Sequence, residues 1–459
     1  MSNGKLGFWG LTALVFGLVV GLGIFNLPQN MAASASPGAV FWGWVITGLG
    51  ILPLVLAFKW LSTHYPQYNA GLYQYALAGF GKYAGFNIAW GYWLCSAFSN
   101  VAYAVILNDS VGAFFPVLLK HGAAMVIFGS IMIWVMFFIV SMGLRTAKFI
   151  NNLLALIKIL MLLGIISVFI IFFRLDLFKA EIWGDFSLIG TPMDQIKSTM
   201  MITLFCFFGV EGAVMMSARA KKYKDVGKAG IAGFLISLTL YLLVSLLCYG
   251  LMARAQLAKL PNPSIAYILR DVCGSWAYWT VIVAIIISLL GGWVSWTLVV
   301  AQVPYEAALV KILPPVFKKT NRHGMPTFGL MASSVVMMLF LLLVVMADDV
   351  YLAALHITSL MIIPCYLFTG LFLYKVAPDL KIKGLATVTI LFCLWMAYAG
   401  GLKLLFMTSL FYLLGTGFYI RAQRDNYPER KKLFTPVEWV FFILLCVASA
   451  VTVYLLTLY

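Results

Sequence analysis

Long apolar runs recur along the whole chain and are separated by short polar connections. Each run is at least as long as the lower end of the roughly 17–25 residues that an α-helix needs to cross the hydrocarbon core of a bilayer. The pattern therefore predicts an all-α polytopic membrane protein with about 13 transmembrane helices. The predicted spans are about 8–34, 38–61, 84–118, 122–143, 147–173, 195–218, 228–253, 274–305, 327–346, 350–374, 384–400, 402–420 and 436–457.

Two of the predicted spans are interrupted by glycine. The first contains FGLVVGLGIFNLPQN at 16–30, in which Gly21 and Gly23 each disfavour helix by roughly 1 kcal/mol relative to alanine. The sixth contains FFGVEG at 207–212. Freed backbone groups cannot turn to water inside lipid, so such interruptions are tolerated where the backbone lines a cavity, and paired ones indicate a transporter site. A close helix–helix contact is the alternative explanation for small residues.

The two interruptions occupy corresponding places in two blocks of five spans. Residues 1–173 contain spans 1 to 5, and residues 195–374 contain spans 6 to 10. Because each block has an odd number of spans, the second block would be inverted relative to the first. We therefore expect a five-plus-five inverted-repeat transporter fold with helices 1 and 6 broken. Residues 384–459 would add three further helices for packing or oligomer contacts.

Composition and charge place the chain in a membrane rather than on a nucleic acid. Hydrophobic residues make up 63% of the chain and charged residues 10%, with a net charge of +16. The loops alternate in basicity, with 22 Lys and Arg on one side and 7 on the other. Since basic loops stay in the cytoplasm, we expect a multi-pass protein of the bacterial cytoplasmic (inner) membrane, with a cytoplasmic N-terminus, Tyr459 outside and no nucleic-acid partner.

The sequence offers no sign of a catalytic or cofactor site. Its seven cysteines show neither a disulfide framework nor the spacing of a metal site, and six of them fall inside apolar spans. No P-loop sequence GxxxxGK[ST] is present, which argues against ATP drive. We therefore expect no metal, no cofactor and no enzymatic activity.

Among the charged residues that fall within predicted spans, Glu211 and Lys158 carry hypotheses about function. Glu211 lies next to the second interruption, and a carboxylate at the bilayer centre costs at least about 2.5 kcal/mol on insertion scales, which indicates a function. A structural hydrogen bond to the unwound part of span 1 is compatible with that function. Lys158 lies in the apolar sequence ALIKILML of span 5. A buried ammonium needs a partner there, unless its side chain extends to the membrane surface.

A polar stripe runs along span 3. Tyr92, Ser96, Asn100 and Tyr103 are three or four residues apart, so they share one face of a helix. We expect this face to point into the bundle. Interhelical hydrogen bonds, each contributing about 0.6–2 kcal/mol, would explain the stripe equally well.

Four stretches carry a resemblance to a known family: GLGIFNLPQNMA at 21–32, AWGYW at 89–93, FFGVEG at 207–212 and GGWVSWTL at 291–298. In them the chain resembles the amino acid–polyamine–organocation superfamily. Within it, the chain is most similar to bacterial basic amino acid/polyamine antiporters such as arginine/ornithine and arginine/agmatine exchangers. The resemblance runs over spans 1 to 12 and implies alternating access; the thirteenth span departs from the usual twelve.

The resemblance also implies a substrate site between the two interruptions. The backbone around Leu22 would hold a carboxylate, but Leu22 lacks the hydroxyl often found there, which leaves room for a decarboxylated substrate. Phe205 stands where arginine/agmatine exchangers have tryptophan, and it still offers a cation–π face, although apolar packing is the alternative. Glu211 is implied to be proton-responsive or to couple conformations, and Lys158 to stand where coupled relatives bind sodium. The implied substrate-binding residues are Val19, Gly21, Leu22, Gly23, Tyr92, Ser96, Asn100, Tyr103, Phe205, Phe208, Trp296 and Ile357.

The expected function is sodium-independent exchange of a small cationic amino acid or polyamine for its metabolic product. Agmatine/putrescine and arginine/ornithine are examples of such pairs. Proton-coupled amino acid uptake, a tyrosine/tyramine exchanger and a transport-inactive sensor on the same fold are the alternatives. The expected partners are small amino acids or amines and the lipid bilayer, and a homodimer is left open.

Overall fold

A computed structural model describes residues 7–21, 23–68, 71–120, 122–215, 220–347, 349–429 and 432–457. These residues form α-helices joined by short turns and 3-10 helices, and none of them belongs to a β-strand. The helices are α1 (Phe8–Val19), α2 (Leu27–Ser34), α3 (Pro37–His64), α4 (Leu72–Phe80), α5 (Lys82–Gly112), α6 (Ala123–Ser141), α7 (Leu144–Ile171), α8 (Leu175–Ala180), α9 (Phe186–Ile189), α10 (Pro192–Cys206), α11 (Gly212–Met215), α12 (Tyr223–Leu247), α13 (Arg254–Leu257), α14 (Ser264–Cys273), α15 (Ser275–Leu309), α16 (Thr327–Val344), α17 (Val350–Val376), α18 (Leu380–Ala399), α19 (Leu402–Asn426) and α20 (Pro436–Thr457).

Nine helices in the described part of the chain are long and apolar enough to cross a membrane. They are α3, α6, α12, α15, α16, α17, α18, α19 and α20. Two shorter apolar helical stretches, Phe8–Val19 and Ile157–Ile171, fall in predicted spans 1 and 5. The all-α polytopic architecture is therefore confirmed, while the count of thirteen crossings and the boundaries of the inverted repeats stay predictions.

Helix α5 lies at the centre of the molecule. Almost all of its residues are buried, and it packs against α4, α15 and α17. A helix surrounded by protein needs no apolar face for lipid, so its sequence can carry many polar residues. This position explains why span 3 contains the polar stripe, and it places that stripe among other helices.

Both predicted interruptions are present. Helical structure stops after α1 and is restored in α2, and it stops again between α10 and α11. The linker between predicted spans 2 and 3 contains α4, a helix too short to cross the membrane. Six of the nine residues of α4 are nevertheless buried, because the helix packs on α5 and α17.

The loops that share a predicted side of the membrane meet one another in the structure. On the basic side, the ammonium of Lys82 lies 3.5 Å from the ring centroid of Tyr427. On the other side, the guanidinium of Arg174 donates to the carbonyl of Leu251 at 3.1 Å. These two contacts agree with the predicted grouping of the loops.

Candidate functional site

The first interruption begins with a tight turn immediately after α1. The N–H of Gly21 donates to the carbonyl of Val19 at 2.7 Å, and Val20 has φ −77° and ψ 71°. These values define an inverse γ-turn centred on Val20. The chain then forms a 3-10 helix at Gly23–Phe25 before α2 begins. Leu22, a predicted binding residue, lies outside the described residues.

Three consecutive carbonyls at this interruption accept hydrogen bonds from three other helices. Because lipid cannot satisfy such carbonyls, each needs a donor from the protein. The donors are the indole N–H of Trp296 on α15 to Leu18 (3.2 Å), the hydroxyl of Tyr241 on α12 to Val19 (2.6 Å) and the ammonium of Lys158 on α7 to Val20 (2.8 Å). Lys158 is buried, so its side chain is committed to the interruption and does not reach the membrane surface.

The second interruption lies directly against the first. Helix α10 ends at Cys206, and Gly209 has φ +107°, a left-handed conformation that favours glycine. A Cβ atom on Gly209 would lie 3.0 Å from the carbonyl carbon of Leu18 and 3.0 Å from the ring of Trp296. Glycine is therefore needed here both for the backbone turn and for the close approach of the two broken helices.

Glu211 holds the second interruption to two long helices. Its carboxylate accepts hydrogen bonds from the hydroxyl of Tyr92 on α5 at 2.7 Å and from the hydroxyl of Tyr366 on α17 at 2.8 Å. The backbone N–H of Gly209 donates to the same carboxylate at 3.2 Å. All three side chains are buried. The carboxylate thus links α5, α17 and the unwound segment through one group.

A small cavity of about 20 Å³ lies between the two interruptions. Both broken helices contribute to it, together with α5, α12 and α15. Its lining residues are Leu18, Val19, Gly21, Gly23, Ser99, Tyr103, Phe205, Cys206, Phe208, Tyr241 and Trp296. This set contains five aromatic rings and no charged side chain. The cavity therefore presents ring faces, hydroxyl groups and backbone to any molecule within it.

The aromatic lining is held in a defined arrangement. The rings of Phe208 and Trp296 are stacked, with centroids 4.4 Å apart and an angle of 17° between their planes. Tyr92 meets Phe208 edge-on at 6.0 Å, and Phe205 meets Tyr351 edge-on at 6.5 Å. Because offset stacks and edge contacts are favourable geometries for aromatic pairs, these contacts help to hold the rings in place.

Comparison with known proteins gives the family. The amino acid permease family model matches residues 6–406 of this chain. The chain belongs to the amino acid permease family. The match takes in both interruptions and every predicted site residue. The whole match precedes α20, the last helix.

Several bacterial proteins resemble this permease over nearly their full length. A protein of Clostridium perfringens named as an amino-acid transporter is 37% identical, and the alignment covers 98% of each chain. The arginine/agmatine antiporter of Chlamydia pneumoniae is 40% identical over 96% of this chain and 94% of its own. That of Chlamydia felis is 38% identical over 97% of each. The permease is therefore similar to proteins that are named as transporters.

The structure brings together most of the binding residues predicted for the permease. Seven of them line the cavity: Val19, Gly21, Gly23, Tyr103, Phe205, Phe208 and Trp296. Tyr92 instead binds Glu211. Ser96 donates to the carbonyl of Tyr92 at 2.7 Å, and the carbonyl of Ser96 accepts from the Asn100 amide at 2.6 Å, so neither is among the lining residues. Ile357 on α17 is half-buried and is also outside the lining set.

Four lining residues were not predicted from the sequence: Leu18, Ser99, Cys206 and Tyr241. Ser99 is four residues before Tyr103 and so shares a face of α5 with it. That spacing was visible in the sequence. Tyr241 lies in an apolar span where its hydroxyl needs a partner, a weaker signal. Tyr366, the second donor to Glu211, was also missed, because its partner is 155 residues away in the sequence.

Proposed function

We propose that this permease is a secondary antiporter that exchanges a small cationic amino acid or polyamine for its metabolic product by alternating access. The observation that carries the proposal is the aromatic cavity between two touching helix interruptions. Such paired interruptions form the midplane sites of transporters. The names of the two chlamydial relatives support the same class of substrate.

The cavity lining suits an amine or guanidinium group. A cation over an aromatic face gains about 0.5–2 kcal/mol, and more as water is excluded. Phe205, Phe208 and Trp296 supply such faces. None of the described residues that line the cavity is a carboxylate, so ring faces and backbone carbonyls would hold the positive group. A substrate carboxylate would be held by the backbone at Gly23, because the N–H of Gly21 already donates to Val19, and Leu22 would add no hydroxyl donor.

Glu211 and Lys158 are proposed to serve coupling rather than direct binding. Neither side chain lines the cavity. Lys158 donates a hydrogen bond to the carbonyl of Val20, which lies between the lining residues Val19 and Gly21. Glu211 accepts a hydrogen bond from Gly209, which follows the lining residue Phe208. The ammonium of Lys158 donates a hydrogen bond to the carbonyl of Val20 and so takes the place that a sodium ion would have there, which supports transport without sodium. A change in the proton on Glu211 would alter its bonds to Tyr92 and Tyr366, and with them the contact between the broken helix, α5 and α17.

We place the permease in the cytoplasmic membrane of a bacterium, with its N-terminus inside. The difference in basicity between the two predicted sets of loops supports this orientation. Residues 1–173 and 195–374 would form the two inverted repeats, and residues 384–459 would lie outside them.

The test is counterflow in proteoliposomes. Vesicles are preloaded with arginine, ornithine, agmatine or putrescine, and uptake of each labelled compound is measured in sodium and in choline buffer. We expect one internal compound of the panel to accelerate uptake of its partner equally in both buffers. Protein-free liposomes and vesicles without internal amine are the controls. If no internal compound of the panel accelerates uptake, and an imposed pH gradient drives it, the result would favour proton-coupled uptake instead.

Tyrosine/tyramine exchange is a second candidate, favoured by one observation. Five rings and no charged group line the cavity, and this lining can stack on an aromatic substrate as readily as on a cation. Adding tyrosine and tyramine to the same panel separates the candidates. Acceleration by internal tyramine alone would identify an aromatic exchanger and exclude the cationic pairs.

A further inference from the structure

The joint between α4 and α5 is held by two oppositely charged side chains. Helix α4 ends at Phe80 and α5 begins at Lys82, with Gly81 between them at φ +95°. The ammonium of Lys375 donates to the carbonyl of Gly79 in the last turn of α4 at 2.6 Å. A cation at a helix C-terminus is favoured by the helix dipole, and the last carbonyls of a helix lack partners within it.

The N-terminus of α5 receives the opposite charge. The carboxylate of Glu438 on α20 accepts from the N–H of Tyr83 at 2.9 Å. Gly81 is the N-cap of α5 and has no side chain to accept this N–H, so a distant helix supplies the acceptor. The same carboxylate accepts from the N–H of Thr435 at 2.8 Å and from the hydroxyl of Tyr419 at 3.3 Å.

Glu438 is an exception on its own helix. Many residues of α20 are exposed and apolar, as expected of a surface facing lipid, whereas Glu438 is 2% exposed. Just before α20, Phe434 packs its ring against Tyr83 at 5.2 Å and Tyr419 at 5.5 Å. The start of α20 is therefore attached to the Gly81 joint by a buried carboxylate and an aromatic cluster.

The end of α17 attaches to the joint from the other direction. The ring of Phe372 is stacked on Tyr75 of α4 at 5.6 Å, with 9° between the planes. A Cβ atom on Gly79 would lie 2.8 Å from the same ring. Lys375 follows Phe372 by one turn and adds its hydrogen bond. Helix α4 is thus held between α17 and the α5–α20 contact.

Two of the helices that meet at the Gly81 joint, α5 and α17, also bind Glu211. Tyr92 lies nine residues after Tyr83 on α5, and Tyr366 lies nine residues before Lys375 on α17. Nine residues of helix span about 14 Å. The two helices that bind the Glu211 carboxylate are therefore bound again, about 14 Å further along, at the Gly81 joint. Both attachments must change together if α5 and α17 separate.

We propose that Lys375 and Glu438 form a clamp on the Gly81 joint that keeps the cavity closed toward the end of the molecule predicted to be cytoplasmic. In this role α20 is part of an inner gate. Glu438 and Lys375 are positioning residues, because they act on the cavity through α4, α5 and α17. The proposal concerns access to the cavity, so its test requires no knowledge of the substrate.

The reporter is the thiol of Cys206, which is buried and lines the cavity. In a background where the other six cysteines are replaced, membrane vesicles of each orientation are treated with a membrane-impermeant cationic thiosulfonate. Cys206→Ser in that background gives the baseline. The variants are Glu438→Gln and Lys375→Gln. The matched controls are Glu429→Gln and Lys381→Gln, which remove the same charges from exposed positions.

We expect both clamp variants to raise the labelling rate of Cys206 from the cytoplasmic face at least about fivefold, without a rise from the outer face, and both controls to leave it unchanged. An unchanged rate in Lys375→Gln would overturn the proposal, and this exposed substitution decides the outcome if Glu438→Gln does not fold. An equal rise from both faces would also overturn it, because that result indicates general loosening of the bundle.

Discussion

At the scale of single residues, the site depends on buried polar groups that have found partners in distant helices. Glu211 accepts from Tyr92, Tyr366 and Gly209, and three donors around one carboxylate offset the cost of removing it from water. The proton state of such a group decides which of its neighbours donates and which accepts. We therefore propose Glu211 as the group through which a change of pH would reach the broken helix.

We predict that Glu211→Gln abolishes most of the pH dependence of exchange while leaving a measurable rate. Glutamine keeps the shape of the side chain but cannot gain or lose a proton. Exchange is measured in proteoliposomes between about pH 5 and about pH 8, with Glu429→Gln as an exposed control. If the pH profile of Glu211→Gln follows that of the unmodified protein, Glu211 is not the proton-responsive group.

At the scale of elements, the broken helices owe their shape to small residues at particular contacts. A Cβ atom on Gly21 would collide with the hydroxyl of Tyr103, whereas one on Gly17, a turn earlier, would meet nothing within 4 Å. Two glycines of the same span thus have different roles. The first shapes the cavity, and the second faces open space.

We predict that Gly21→Ala weakens substrate binding about 5- to 150-fold, corresponding to about 1–3 kcal/mol of overpacking. Gly17→Ala should bind as the unmodified protein does. Binding is measured by calorimetry on the purified protein with the compound identified in counterflow. Gly21→Ala combined with Tyr103→Phe should recover part of the loss, since the colliding hydroxyl is absent. Equal effects of the two glycine substitutions would argue against the geometry of the cavity wall.

Element-scale prediction from the sequence was accurate where the signal is local. The interruptions at Gly21–Gly23 and at 207–212 were predicted, because glycine is a poor helix former and can be recognised inside an apolar run of the sequence. Ser96 and Asn100 were placed on the correct helix, but the structure orients them toward the backbone of α5 and places Ser99 in the cavity wall. Which face of α5 lines the cavity depends on the rotation of the helix about its axis, and packing against the neighbouring helices sets that rotation.

At the scale of the whole molecule, the alternation of basic loops agrees with the contacts between them. Lys82 and Lys311 both lie over the ring of Tyr427, which joins three loops of the predicted cytoplasmic side. Helix α20 then runs from this end toward the other. An odd number of crossings would place the two termini on opposite faces of the membrane.

We predict that a reporter fused after Tyr459 lies outside the cytoplasm, and one fused after Glu429 lies inside. Alkaline phosphatase is active only outside, and green fluorescent protein folds and fluoresces in the cytoplasm. Phosphatase activity after Tyr459 and fluorescence after Glu429 are the expected pair. Fluorescence at both positions would mean that α20 does not cross the membrane and that the count of thirteen is too high.

The sequence by itself determined the class of protein, the two interruptions, the charged residues within spans and the two sets of loops. The bilayer and the helix backbone impose these features, and they act on each stretch of chain separately. Only the tertiary structure decided which donor meets which group: Tyr241 at Val19, Tyr366 at Glu211, and Glu438 at the start of α5. These pairs lie 222, 155 and 355 residues apart. Their meeting depends on how whole helices pack, and no local pattern encodes it.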